Sequence, residues 1–218
     1  MNNEKKILAL LGDFYHPADY YTEGLQNILS KDFNLQIESD YKKVDWDNLN
    51  DYNLFILAAS GKLNPEKSDE IWMTEEHERK IESFLETGAS LFVLHSGLAG
   101  YNTNSLIREI CKGHFLHHPE EHPNITVDIL NKEHSITRDI DEFQIVDEQY
   151  FVDVDKDDIN ILLETKTEEY GTAAAAWVHN YKSGKVYCLT PGHTIEVLNT
   201  KMMQKLILNG VNYCMKNK

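Results

Sequence analysis

Short unbroken apolar runs recur along the first half of the chain, at residues 5–11 (ending KILALL), 53–59 (NLFILAA) and 90–94 (SLFVL). Runs of this length bounded by polar residues suit strands buried on both faces, as in a parallel sheet. Residues 33–39 alternate and predict a further strand. Residues 21–30 predict a helix after the first strand. A polar loop at 60–73 is followed by a clearer helix: Thr74 serves as its cap, Glu75 and Glu76 favour its positive end, and Gly88 stops it. Ile81, Phe84 and Leu85 form its apolar stripe. A short helix is predicted at 105–111. Strand and helix alternating at this spacing predict βαβ units with right-handed crossovers.

The pattern then changes. Residues 124–130 alternate, and 143–154 and 160–165 are strand-like. Residues 174–181 and 185–190 flank a turn at Ser183-Gly184 and predict a hairpin. Residues 201–215 predict a closing helix with Met203, Leu206, Ile207, Gly210 and Cys214 on one face. The expected fold is α/β: a flavodoxin-like three-layer α/β/α sandwich, its sheet mostly parallel with an antiparallel portion in the second half. Neither a repeat nor a Pro/Gly/Ser linker interrupts the sequence, so a single domain over residues 1–218 is expected.

Composition narrows the function classes. The chain has 218 residues, 41% of them hydrophobic and 26% charged, as in ordinary globular proteins. Its formal net charge of −15 argues against nucleic acid and against anionic membrane surfaces, both of which need clustered cations. No apolar run approaches the roughly 18 residues that span a bilayer. The N-terminal MNNEKKILALLGD lacks a cleavage site and is read as leading into a first strand, not as a signal peptide. Cys111, Cys188 and Cys214 form no CxxC pair, which suits a reducing cytoplasm.

Ligands of open α/β sheets bind beyond the carboxyl ends of the strands. His16 follows the first strand with Gly12-Asp13, Ser60-Gly61 follows the third, His95-Ser96 the fourth, and Thr190-Pro191-Gly192-His193 the strand at 185–190. Each histidine alone is equally readable as a solvated loop residue. If these strands are neighbours, however, three imidazoles converge on one crevice, where they suit acid, base or ligand roles. The segment GHFLHHPEEH (113–122) carries four histidines and could form a metal site, but Pro119 breaks any helix that would present them together; a part-solvated loop with one histidine turned inward is expected. Asp147 and Glu148 sit in an apolar frame. They either begin an exposed turn or, for Glu148, contribute to a site. G-x-S-x-G is absent around Ser96, which argues against a nucleophilic serine, and no nucleotide-binding glycine motif is present.

Taken in order, LFVLHSG (91–97), GHFLHHP (113–119), HSIT (134–137), DEQY (147–150), AAWV (175–178) and TPGH (190–193) resemble the ThuA-like family, named for trehalose utilisation. The resemblance runs over nearly the whole chain. It implies a class I glutamine amidotransferase-like fold and pocket positions at His16, His95, His118, Glu148, Tyr150 and His193. The chain departs from the family at His134-Ser135, where His-Pro is usual, and at His114, where a second glycine is typical. The superfamily's elbow cysteine is replaced by His95-Ser96-Gly97, and its His-x-Glu has only an echo in His193 and Glu196. Glutaminase activity is therefore not expected.

The resemblance implies an enzyme acting on a small-molecule carbohydrate. His95 or His193 would be general acid or base and Glu148 its partner or a second acid/base. His16, Ser96, His118 and Tyr150 would contact substrate, and Trp177 would be either a stacking face or core. Two further readings stay open: a non-catalytic sugar-binding or regulatory module, and a metal-dependent hydrolase with histidines and Glu148 holding a divalent ion such as zinc. Homo-oligomerisation is left open.

Overall fold

The computed structural model describes residues 5–216, and in it the apolar runs become the centre of one sheet. β1 (Lys6–Leu11), β3 (Leu54–Ala58), β4 (Ser90–Leu94) and β11 (Gly184–Leu189) run parallel side by side, with β2 (Asn34–Glu38) outside β1. The three inner runs β1, β3 and β4 are buried almost throughout, as strands covered on both faces must be. β2 lies at the sheet edge and leaves every residue at least partly exposed.

Alternate residues of β1 feed two separate apolar layers. Ile7, Ala9 and Leu11 pack with Leu25 of α1 (Ala18–Leu29) and with Leu206 and Ile207 of α5 (Lys201–Met215). Leu8 and Leu10 pack with Ile81 and Phe84 of α2 (Glu75–Glu86) and Ile107 of α3 (Leu106–Cys111). The short α4 (Ile195–Leu198) joins α1 and α5. The result is the three-layer α/β/α arrangement expected from the pattern. α2 carries a capping box: the Thr74 and His77 side chains each bond the other's backbone N–H.

The second half extends the same sheet. β10 (Gly171–Tyr181) returns antiparallel to β11 as the predicted hairpin. β9 (Asn160–Thr167), β6 (Asn124–Ile129) and β7 (Phe143–Val146) continue outward, giving the order β2-β1-β3-β4-β11-β10-β9-β6-β7. Among the described residues the sheet is parallel up to β11 and antiparallel beyond it, so the antiparallel portion covers half its pairings.

Two local expectations change. Residues 113–117, expected in a loop, form β5 (Gly113–His117), which pairs with β8 (Phe151–Val154) in a separate two-stranded ribbon. The continuous strand expected over 143–154 breaks at 147–150, where the chain crosses from β7 of the large sheet to β8 of the ribbon. That break carries DEQY across the carboxyl edge of the parallel strands. Among the described residues, no helix is long and apolar enough to cross a membrane.

Candidate functional site

The carboxyl ends of β1, β4 and β11 deliver the three predicted histidines to one place. Gly12, at φ +89°, turns the chain sharply after β1, and a Cβ there would collide with Ala18. In the loop it opens, Asp13 Oδ1 accepts a bond from His16 Nδ1 at 2.7 Å, and Asp13 Oδ2 accepts from Ser60 N beyond β3 at 2.8 Å. After β4 the chain turns at His95, whose φ is +46°. Gly97 follows it closely under the Leu57 carbonyl, where a Cβ would sit 2.2 Å from the oxygen. His95 Nδ1 lies 2.6 Å from the Thr190 carbonyl at the end of β11. A carbonyl only accepts, so Nδ1 carries the proton and Nε2 is left with its lone pair.

The crossing segment is pinned from both sides. Asp147 is fully buried and accepts from Gly192 N at 2.7 Å and His193 N at 3.1 Å. Gln149 bonds the Gly171 carbonyl and the Thr167 hydroxyl. The intervening Glu148 and the following Tyr150 reach the histidines, with the Tyr150 ring stacked on His95 at 4.1 Å between centroids.

Glu148 is the hub. Its Oε2 lies 3.2 Å from His95 Nε2, 3.2 Å from His193 Nδ1 and 4.0 Å from His16 Nε2. Its Oε1 lies 3.5 Å from His118 Nε2 and 3.7 Å from His122 Nε2. His16 Nε2, His95 Nε2 and His193 Nδ1 are buried and complete no hydrogen bond. Burial would raise the Glu148 pKa, but His16, His193 and His95 outweigh it and hold the carboxyl well below the usual range. Burial keeps His95 neutral, with a pKa down to about 4. Burial also opposes a charge on His16, yet Asp13 and Glu148 lift its pKa to about 9. Burial pushes Asp147 up to about 7, against the pull of the two backbone N–H groups.

The ligand atoms of His16, His95, Glu148 and His193 all lie within 4.8 Å of one another, a set that could hold a metal ion. Zinc bonds imidazole nitrogen and carboxylate oxygen at about 2.0–2.2 Å, so neighbouring ligand atoms stand about 3.3–3.5 Å apart. The two 3.2 Å separations are close to that spacing. Asp13 and the Thr190 carbonyl hold the other ring nitrogens of His16 and His95, which is how metal-ligating imidazoles are usually oriented. Beside the cluster opens a cleft of about 630 Å³, whose lining includes Asp13, His16, His118, Glu148 and Tyr150. Phe14 and Tyr15 stand at its side, 44% and 55% exposed.

Of the residues singled out from sequence, His16, His95, His118, Glu148, Tyr150 and His193 come together. Two stand outside this cluster. Trp177 is fully buried in β10, with Nε1 donating to the Cys111 carbonyl at 2.8 Å, so it is core and no stacking face. Ser96 is also fully buried, next to Asp13 and Tyr21. Glu196 is exposed on α4, so the echo of His-x-Glu forms no pair; His193 faces Glu148 instead. In the 113–122 stretch two histidines turn to the site, not one. His114 is buried elsewhere, near Asp153, and His117 stacks on Phe151.

Three contributors escaped the sequence reading: His122, Asp13 and Asp147. Asp13 had a local signal, an acceptor three residues before His16 in a tight turn. His122 had the four-histidine stretch and Asp147 its apolar frame, but neither could be assigned because their partners are fixed by distant strands. Cys111, Cys188 and Cys214 are all buried, and none lies at the His95-Ser96-Gly97 turn.

A family model described as ThuA, trehalose utilisation, matches residues 7–214. No curated protein sequence matches the chain. A ThuA-like protein from Parabacteroides merdae superposes with a TM-score of 0.75 at 15% identity, over 98% of this chain and 90% of that one. One from Bacteroides uniformis gives 0.74 at 19% identity, over 94% and 89%. A β-galactosidase from Rahnella gives 0.67 at 10% identity, with 97% of this chain covering 31% of the enzyme. At such identities these likenesses establish the fold alone.

Proposed function

The chain belongs to the ThuA, trehalose utilisation, family, and from that premise we propose that it is a metal-dependent enzyme, a hydrolase, acting on a sugar or sugar derivative. His16, His95, His193 and Glu148 would hold the divalent ion, zinc by the chemistry of the set. The observation that carries this reading is the trio of buried ring nitrogens, His16 Nε2, His95 Nε2 and His193 Nδ1, that surround one carboxylate and complete no hydrogen bond. An unsatisfied buried polar atom costs about 1–3 kcal/mol. Three around one point are a standing cost that a bound cation removes.

The family supports the carbohydrate class, and the cleft supports its size. A volume of about 630 Å³ lies within the range of small-molecule sites. Phe14 and Tyr15 offer aromatic surface of the kind that packs against the C–H faces of sugars. A bound divalent ion supplies Lewis acidity towards a substrate oxygen. The chain's own groups do the rest. Tyr150 holds the His95 ring by stacking, and Asp13 and Thr190 fix two imidazoles.

The test is metal content and turnover on untagged protein. Elemental analysis should find a divalent transition metal. A chelator should abolish turnover of a panel of glycosides and keto-sugars, and zinc should restore it. Protein that binds no divalent metal, or turns over equally well without one, would refute the reading. Saturable sugar binding by metal-loaded protein without turnover would instead show a binding module.

A further inference from the structure

Glu148 has two carboxylate oxygens, and each faces its own set of imidazoles. Oε2 faces His16, His95 and His193, while Oε1 faces His118 Nε2 at 3.5 Å and His122 Nε2 at 3.7 Å. We propose that Glu148 is a bridging carboxylate and that His118, His122 and Glu148 Oε1 form a second metal position, making the site dinuclear. The proposal rests on the metal reading above and deepens it.

Three observations carry it. The first is distance. Imidazole N–H bonds to oxygen run about 2.7–3.2 Å, and both contacts to Oε1 are longer. The His118 contact matches the ligand-to-ligand spacing of about 3.3–3.5 Å around a shared zinc ion, and the His122 contact, at 3.7 Å, lies just beyond it. The second is tautomer. His118 Nδ1 lies 2.6 Å from the Pro119 carbonyl, which can only accept, so the proton sits on Nδ1 and the Nε2 lone pair points at Glu148. This repeats the arrangement of His16 on Asp13 and of His95 on Thr190. The third is proximity of the two sets, since the His122 and His193 rings approach to 4.8 Å between centroids. Paired metals usually stand about 3.5–4 Å apart, a span that one carboxylate bridges.

The two positions differ in a way that suits division of labour. The first has four protein ligands and deeply buried histidines, His95 fully and His16 nearly so. Closed sites of this kind leave little room for substrate. The second has three ligands, and its histidine side chains are 32% and 39% exposed. An open coordination position there would face the cleft that His118 helps to line.

Metal-free, untagged protein is titrated with zinc, and bound metal per chain is measured after removal of free ions. Two equivalents are expected in the native chain, and one in a His118→Ala/His122→Ala double variant whose circular dichroism matches native. A native stoichiometry of one would overturn the second position and leave the first standing. A stoichiometry of zero would overturn both. Two equivalents retained in the double variant would also refute this assignment, because the second ion would then be held elsewhere. Should the double variant not fold, the single variant His122→Ala is used: a second equivalent bound at least about tenfold more weakly supports the proposal, and an unchanged affinity overturns it.

Discussion

Replacing His95 by asparagine separates a ligating histidine from a packed one. The backbone at this position lies in the left-handed region, with φ +46°, and asparagine is among the residues that adopt it readily. The turn should therefore survive. In the metal-free protein His95→Asn loses the buried bond to the Thr190 carbonyl, worth about 0.5–1.5 kcal/mol. It also loses the stack on Tyr150, worth about 0.5–1.5 kcal/mol. Against this it removes an unsatisfied buried nitrogen that costs about 1–3 kcal/mol. The net change should be within about 2 kcal/mol, or less than about 8 °C in Tm for a chain of this size. Metal linkage behaves differently. Zinc at a hundred times its Kd stabilises the native chain by about 2.7 kcal/mol, or roughly 5–11 °C. A variant that has lost a ligand should lose the share of that increment that the first position supplies. The assay is a pair of thermal melts, in chelator and in zinc, on both proteins. A variant that loses much of its stability in chelator yet keeps a zinc increment equal to that of the native chain would show His95 to be a packing residue, and the site would have to be redrawn.

Trp177→Phe should lower stability by about 2–4 kcal/mol, since it opens a cavity and leaves the Cys111 carbonyl with only the weak Cys188 thiol as donor; zinc stoichiometry and sugar affinity, measured by calorimetry, should not change, and a selective loss of sugar affinity would restore it as a stacking face. His179 is buried away from the site, and burial lowers its pKa from 6.5 to about 4. Between those values the unfolded state binds the extra proton, so the stability held above about pH 6.5 is lost as pH falls towards 4, at about 1.4 kcal/mol per pH unit. Urea unfolding should accordingly show His179→Gln losing about 2 kcal/mol less than native between neutral pH and about pH 5, and parallel pH profiles would contradict this. Glutamine hydrolysis should be undetectable by ammonia release, because every cysteine is buried and burial pushes the Cys214 thiol up to about 12; release of ammonia that thiol alkylation abolishes would overturn it.

What the sequence determined by itself is whatever depends on near neighbours. Unbroken apolar runs mark β1, β3 and β4 because a strand covered on both faces has no solvent side on which to place polar residues. Cap, stripe and stop mark α2, and the stripe at Met203, Leu206 and Ile207 marks α5, for equally local reasons. Strand polarity even placed His16, His95 and His193 at one edge, since every parallel strand ends there. Tertiary structure decided how those ends meet. β4 lies beside β11 although about ninety residues separate them, and that pairing sets the Thr190 carbonyl against His95. The break at 147–150 is invisible locally, because an apolar frame around DEQY fits a continuous strand equally well. Only the crossing from β7 to β8 buries Asp147 and presents Glu148 to five imidazoles. Trp177 shows the same limit from the other side. Alternation says that its side chain leaves one face of β10, but whether that face meets a ligand or α3 depends on which layer the finished sheet puts above it.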